Sequence, residues 1–176
     1  SVAAALDALP GIAANSGVMD YQVATREMAA REIAAGCATG AQLLFLGADN
    51  YPPLLATIQD PPAVLWALGD PMLAFRPSVA FVGARNASSL GRRMSAKLAK
   101  DLSQEGFVVV SGLARGIDAE AHLAALSGGT IAVQAGGVDS IYPMENKALA
   151  ESIRENGLRI SEMPMGMSPQ ARHFPR

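Results

Sequence analysis

From Pro77 onward the chain alternates short, unbroken apolar runs with amphipathic stretches, and this alternation constrains the fold more than any other feature. Val79 to Val82, Phe107 to Val110, Ile131 to Val133 and Ile160 read as strands; Leu90 to Glu105, Ala119 to Leu126 and Glu145 to Glu155 read as the helices between them. Such short apolar runs do not make buried helices, and their lack of polar alternation predicts strands covered on both faces. The βαβαβαβ order predicts an α/β domain, a parallel sheet with helices on both faces. Of the 176 residues, 50% are hydrophobic and 17% charged, enough apolar material for one sizeable core and a small satellite module.

The first 45 residues read as that module. An Ala-rich segment is broken at Pro10-Gly11, and a second helix is capped by Asp20, carries Val23, Met28 and Ile33, and is stopped by Gly36. Leu43 to Leu46 and Val64 to Leu68 then read as strands flanking the Pro-rich stretch Tyr51 to Pro62. The expected organisation is a helical module over 1–45 and a ligand-binding α/β domain over 46–176. Ser1 to Ala14 carries Asp7 and Pro10 and has no basic leader, so neither an export signal nor a membrane span is expected. The single Cys37 excludes an intramolecular disulfide and a cysteine-rich zinc site, and points to a reducing, cytoplasmic setting.

The formal net charge of −2 argues against a phosphate partner, but its distribution does not. Up to residue 84 three basic residues face seven acids; from Arg85 onward eleven basic residues face nine. An anion site therefore belongs to the second half.

Open parallel sheets bind ligands beyond the carboxyl ends of their strands, so the residues after each apolar run carry the functional information. The first strand is followed by Gly83-Ala84-Arg85-Asn86-Ala87-Ser88-Ser89, a small-residue turn opening into a helix. Its amides with Ser88 and Ser89 suit an anionic oxygen, and Arg85 either clamps that oxygen or stands solvated. After the second strand comes Ser111-Gly112-Leu113-Ala114-Arg115-Gly116-Ile117-Asp118, with Asp118 placed to cap the next helix. A tight turn accounts for the glycines and Asp118 but not for Arg115, and two arginines at neighbouring strand ends favour an anion pocket. After the third strand, Gly136 and Gly137 permit close backbone approach, and Lys147 either points to the same edge or is a solvated helix residue. The chain closes with Arg172-His173-Phe174-Pro175-Arg176, an aromatic face among cations suited to an unpaired base.

Several chemistries lack their residues. No Gly-x-x-x-x-Gly-Lys-Ser/Thr occurs, and the Gly83 turn lacks Gly-x-Gly-x-x-Gly spacing, which disfavours P-loop hydrolysis and nicotinamide cofactors. With only His122 and His173 and no ligand cluster, no metal site and no cofactor are expected, and His122 reads as a helix-packing residue rather than a general base.

The strand-end segments also carry a resemblance. Tyr51-Pro52-Pro53-Leu54-Leu55, Asp60-Pro61-Pro62, Val82-Gly83-Ala84-Arg85, Ser111 through His122, Gly136 through Asn146, Ser161-Glu162-Met163-Pro164 and His173-Phe174-Pro175-Arg176 resemble, in order and spacing, the signature of the DNA-processing protein A (DprA, or Smf) family. The likeness covers roughly residues 50–176, and the first 45 residues resemble the sterile-alpha-motif-like module that many members carry. It implies a Rossmann-like domain that binds and protects single-stranded DNA, helps load RecA recombinase during natural transformation, forms a homodimer and has no established catalytic activity. The residues implied at the strand are Arg85, Arg172, Phe174 and Arg176, with Ser111, Gly112 and Arg115 lining the same pocket. Met144 stands where some members have lysine, which leaves that contribution to Lys147. The family pattern continues beyond Arg176, so the resemblance also implies a longer protein. The enzyme class nearest to this pattern is a nucleotide-processing phosphoribohydrolase of the lysine-decarboxylase-like type. Its Pro-Gly-Gly-x-Gly-Thr loop with a catalytic Glu is replaced here by Gly136-Gly137-Val138-Asp139.

Overall fold

The computed structural model describes residues 2–170, and the chain separates into two compact units between residues 35 and 36. In the first unit, α1 (Val2–Asn15) runs through Pro10 instead of breaking there. Proline removes one amide donor, and the Ala-rich flanks supply the helix with its remaining bonds. α2 (Arg26–Thr39) starts after Thr25, whose hydroxyl accepts from the Met28 amide at 3.2 Å. Thr25 is therefore the cap that Asp20 was expected to be; Asp20 lies in a turn, with φ 60. Gly36 does not stop this helix, which ends before Gly40 at φ +80. Gly36 is glycine for a different reason, since a Cβ there would stand 2.0 Å from Cη2 of Trp66.

The second unit is a six-stranded sheet of β1 (Gln42–Phe45), β2 (Val64–Gly69), β3 (Ser78–Ala80), β4 (Val108–Ser111), β5 (Thr130–Val133) and β6 (Leu158–Ser161). Their order is β1-β2-β6-β5-β4-β3. β3 to β6 are parallel, as the apolar runs predict, whereas β1 and β2 are antiparallel additions beside β6. The sheet is thus mixed rather than parallel throughout. β1 belongs to it, with Gln42 opposite Ala67, so the division falls ten residues earlier than position 45.

The strand register sorts the side chains. Val109, Ala132 and Arg159 share one face, on which Ala99 of α3 (Ser89–Gln104), Ala121 and Ala125 of α4 (Ile117–Ala125), and Leu149, Ala150 and Ile153 of α5 (Lys147–Asn156) pack. Leu44, Leu65, Ala67, Val108, Ile131, Leu158 and Ile160 point the other way, against Tyr51, Leu73 and the 3-10 turns at Leu55–Thr57 and Pro71–Phe75. The expectation of helices on both faces is corrected accordingly: the α-helices of this unit lie on one face among the described residues. The strand order gives the reason. β3 to β6 are laid down consecutively, and right-handed crossovers stepping in one direction deposit every helix on the same side.

Of the polar side chains inside this helix-covered layer, two of the largest are His122 and Arg159. His122 is fully buried, its Nδ1 2.7 Å from Thr130 Oγ1, and that hydroxyl donates to the Val109 carbonyl at 2.6 Å. Since the threonine proton is engaged, Nδ1 is the donor, and Nε2 has no hydrogen-bond partner. Burial pushes the His122 pKa down to about 4, with the Ser111 backbone acting in the opposite direction. His122 packs rather than reacts, as the sequence reading holds. The second is Arg159 of β6, 1% exposed. No helix among the described residues is long and apolar enough to cross a membrane.

Candidate functional site

Because β3 to β6 are parallel, the segments that follow them emerge at one edge of the sheet. Three of these segments enclose an open depression lined by Arg85, Gly112, Ala114, Arg115, Tyr142 and Pro143. A second depression shares Gly112 and Tyr142 and adds Gln134, Ala135, Gly136 and Pro169, so the segment after β6 joins the same surface.

The loop after β4 is held from three sides. Leu113 adopts φ 58, a conformation costly for a branched side chain. The Asp118 carboxylate accepts from the amides of Gly112 at 3.1 Å and Ala114 at 3.3 Å. Asn146 donates through Nδ2 to the carbonyls of Leu113 at 2.9 Å and Ala114 at 3.2 Å. Asp118 is therefore not the helix cap; Gly116 occupies that position with φ 78, and Asp118, in the first turn, braces the loop. A Cβ on Gly116 would lie 2.3 Å from the Ala84 carbonyl oxygen, so glycine lets the two arginine-bearing loops touch. Gly116→Ala should destabilise the fold by about 2 kcal/mol, from positive-φ strain and backbone overlap together. Urea denaturation checks this, and an unchanged midpoint would contradict the packing argument.

The structure brings together some of the expected residues and reassigns others. Arg85 and Arg115, from successive strand ends, line one depression with Gly112. Arg115 Nε lies 3.6 Å from Glu145 Oε1, with both side chains more than half exposed, a pair worth little against solvent. Ser111 is buried, and its hydroxyl donates to the Phe81 carbonyl at 2.7 Å, so it ties β4 to the residue after β3 and does not line the depression. Ser88 caps α3, accepting from the Gly91 amide at 3.1 Å. Gly83 has its open side against Ile117, 2.5 Å from where a Cβ would be. Gly136 and Gly137 admit the segment after β6: their missing Cβ atoms would meet the Met167 and Pro164 carbonyls, and the Gly137 amide donates to Met167 at 2.8 Å. These glycines shape the edge by close packing. Lys147 is the exposed first residue of α5 and is not on the lining. Arg172, His173, Phe174 and Arg176 lie outside the described residues.

Two contributors were not singled out from sequence. Arg159 donates through Nε to Gln134 Oε1 at 2.8 Å and through Nη2 to the Val138 carbonyl at 2.5 Å, with Nη1 3.7 Å from Glu151 Oε1. It anchors the loop between β5 and Tyr142 from below. Burial lowers its pKa, and the Glu151 carboxylate opposes that shift. The other is Tyr142, half exposed where the depressions meet. The signal for Arg159 is an arginine inside an apolar strand; that for Tyr142 is an aromatic residue at a strand-end turn.

A parallel array whose strand-end loops gather into one arginine-lined surface, with α-helical crossovers behind it, defines a Rossmann-like α/β domain. Residues 42–176 match the family described as DNA recombination-mediator protein A, and residues 1–35 match a DprA-like N-terminal HHH domain, in place of the expected sterile-alpha-motif likeness. The chain belongs to the DNA recombination-mediator protein A family, whose members include the DprA and Smf proteins. It is 40% identical to DNA processing protein DprA of Bacillus subtilis over 82% of this chain and 50% of that protein, and 44% identical to protein Smf of Synechocystis over 74% and 35%. The chain thus spans half or less of these relatives' length. Its fold is similar to the X-ray structure of DprA from Streptococcus pneumoniae, with TM-score 0.72, 40% identity, and coverage of 76% of this chain and 48% of that one. It is also similar to DNA processing protein A from Helicobacter pylori, a structure concerned with single-stranded DNA binding, with TM-score 0.70, 32% identity, and coverage of 76% and 60%.

Proposed function

We propose that the strand-end surface binds single-stranded DNA, with Arg85 and Arg115 on phosphates and the segment Arg172 to Arg176 adding cationic and aromatic contacts. The observation that carries this reading is that Arg85 and Arg115, from successive strand ends, line one open depression. Arginine pairs anionic oxygens in a planar fork, and two such groups beside each other suit a chain of phosphates. The single-stranded DNA binding described for the Helicobacter pylori protein supports the same assignment. The anion contacts fall to side chains, because the Gly112 and Ala114 amides are engaged by Asp118. Lys147 contributes long-range attraction. Binding without turnover, protection of the strand, loading of RecA recombinase, a homodimer and a cytoplasmic role in natural transformation belong to this reading and are supported by family membership.

The test is fluorescence anisotropy of a labelled poly-dT oligonucleotide at two salt concentrations, with duplex as competitor. Affinity should fall steeply with salt and resist competition by duplex. Arg85→Ala should weaken binding by about tenfold for every sequence and flatten the log–log salt slope by about 0.7, the signature of one lost phosphate contact. A loss that depends strongly on base sequence would overturn the phosphate assignment.

A further inference from the structure

We propose that Tyr142 is a stacking platform for an unpaired nucleobase. The strand-end surface would then take a nucleotide unit whose phosphates lie on Arg85 and Arg115 and whose base lies on the Tyr142 ring. This rests on the DNA-binding reading and adds to it a base contact.

Three observations converge on this residue. The first is position. Tyr142 lines both depressions, beside Arg85 and Arg115 in one and beside Gln134 and Gly136 in the other. The second is orientation. Ile141 packs against the cluster of Leu113, Ala132 and Leu149, whereas the next residue, Tyr142, is 50% exposed. The turn thus directs its aliphatic residue inward and its aromatic residue to the arginine-lined surface. The third is rigidity. Before the tyrosine, the Ser140 amide donates to the Gly137 carbonyl at 2.8 Å, and Gln134 Nε2 donates to the Ser140 carbonyl at 3.0 Å. After it, the Asn146 amide donates to the Pro143 carbonyl at 3.0 Å, and the Asn146 side chain reaches the loop after β4.

A tyrosine has two side-chain torsions, and here its backbone is fixed on both sides, so little freedom is lost when a flat ligand covers the ring. Every base has a π-face, which makes such a contact tolerant of sequence and dependent on the base being unpaired. A tyrosine ring is not a cationic partner for phosphate, so its removal should leave phosphate binding and its salt dependence in place.

The experiment compares two labelled oligonucleotides of equal length, poly-dT and its abasic counterpart, titrated against the 176-residue chain and two variants. The wild type should prefer the base-bearing strand by about tenfold or more. Tyr142→Leu should reduce that preference at least fivefold, leave abasic affinity and salt slope unchanged, and leave the thermal midpoint unchanged; Tyr142→Phe should keep the preference. A preference unaltered in Tyr142→Leu, or equal losses on both strands, overturns the proposal and leaves Tyr142 a scaffold residue. If the wild type binds neither strand, the DNA-binding reading fails and this inference falls with it. Binding of the abasic strand by every variant separates the two failures.

Discussion

Replacing Arg159 with alanine is expected to lower the unfolding free energy by about 3–5 kcal/mol. The guanidinium sits at 1% exposure in the middle of β6 and reaches two acceptors on another segment, Gln134 Oε1 and the Val138 carbonyl. Truncation leaves both acceptors buried without a donor, at about 1–3 kcal/mol each, and opens a cavity above α5. Arg159→Met separates these contributions, because methionine restores much of the volume and none of the donors. Where a buried pair of charges is exchanged for hydrophobes, the change is often neutral, since both desolvation costs vanish together. Here the two hydrogen-bond acceptors are neutral and remain, while the Glu151 carboxylate, 45% exposed, keeps its access to solvent, so methionine should recover only the cavity part. Arg159→Lys retains charge but cannot fork, and should remain well below the wild type. Urea unfolding of the three variants measures the series; a methionine variant as stable as the wild type would show that the arginine is an uncompensated burden.

The second large effect concerns acid. His122 has its pKa pushed down by burial to about 4, against an ordinary 6.5 in the unfolded chain. Below pH 6.5 the unfolded state takes up a proton that the native state refuses, so stability is complete above about 6.5 and declines as pH falls to about 4. Below that both states are protonated and the loss is constant. The interval corresponds to about 3 kcal/mol. Denaturation midpoints measured from pH 7 to pH 4 should drop across that window, and His122→Leu should flatten this part of the profile while keeping the Thr130 bond to Val109. A variant with the wild-type slope would assign the acid sensitivity to carboxylates.

Most of the layered architecture was legible in the sequence because the apolar runs and amphipathic stretches differ in period, and that signal survives without tertiary information. All six strands and the three crossover helices fall within a few residues of their expected places. What failed depends on contacts between distant positions. Gly36 has the look of a helix stop, yet the Trp66 ring, thirty residues away in sequence, is what requires glycine there. Strand direction for β1 and β2, and the face on which helices lie, follow from strand order, which periodicity does not encode. At the sheet edge, the sequence placed Arg85 and Arg115 at neighbouring strand ends because a tight turn gives them no structural purpose, and the fold brings both to one depression. The glycines and serines around them also serve loop packing, strand ties and helix caps, which the sequence does not distinguish from an anion role. Asp118, expected as a helix cap, and Asn146, to which the sequence assigned no role, hold the loop after β4 in place.

The Asp118 carboxylate beneath that loop means that the loop already contains the negative charge toward which its amides point. Its backbone is consequently set before any anion arrives, and no main-chain bond there must break or form on occupancy. On the proposed DNA-binding reading, the loop after β4 receives a strand without rearranging its own backbone, and the rate of capture should track ionic strength and collision frequency.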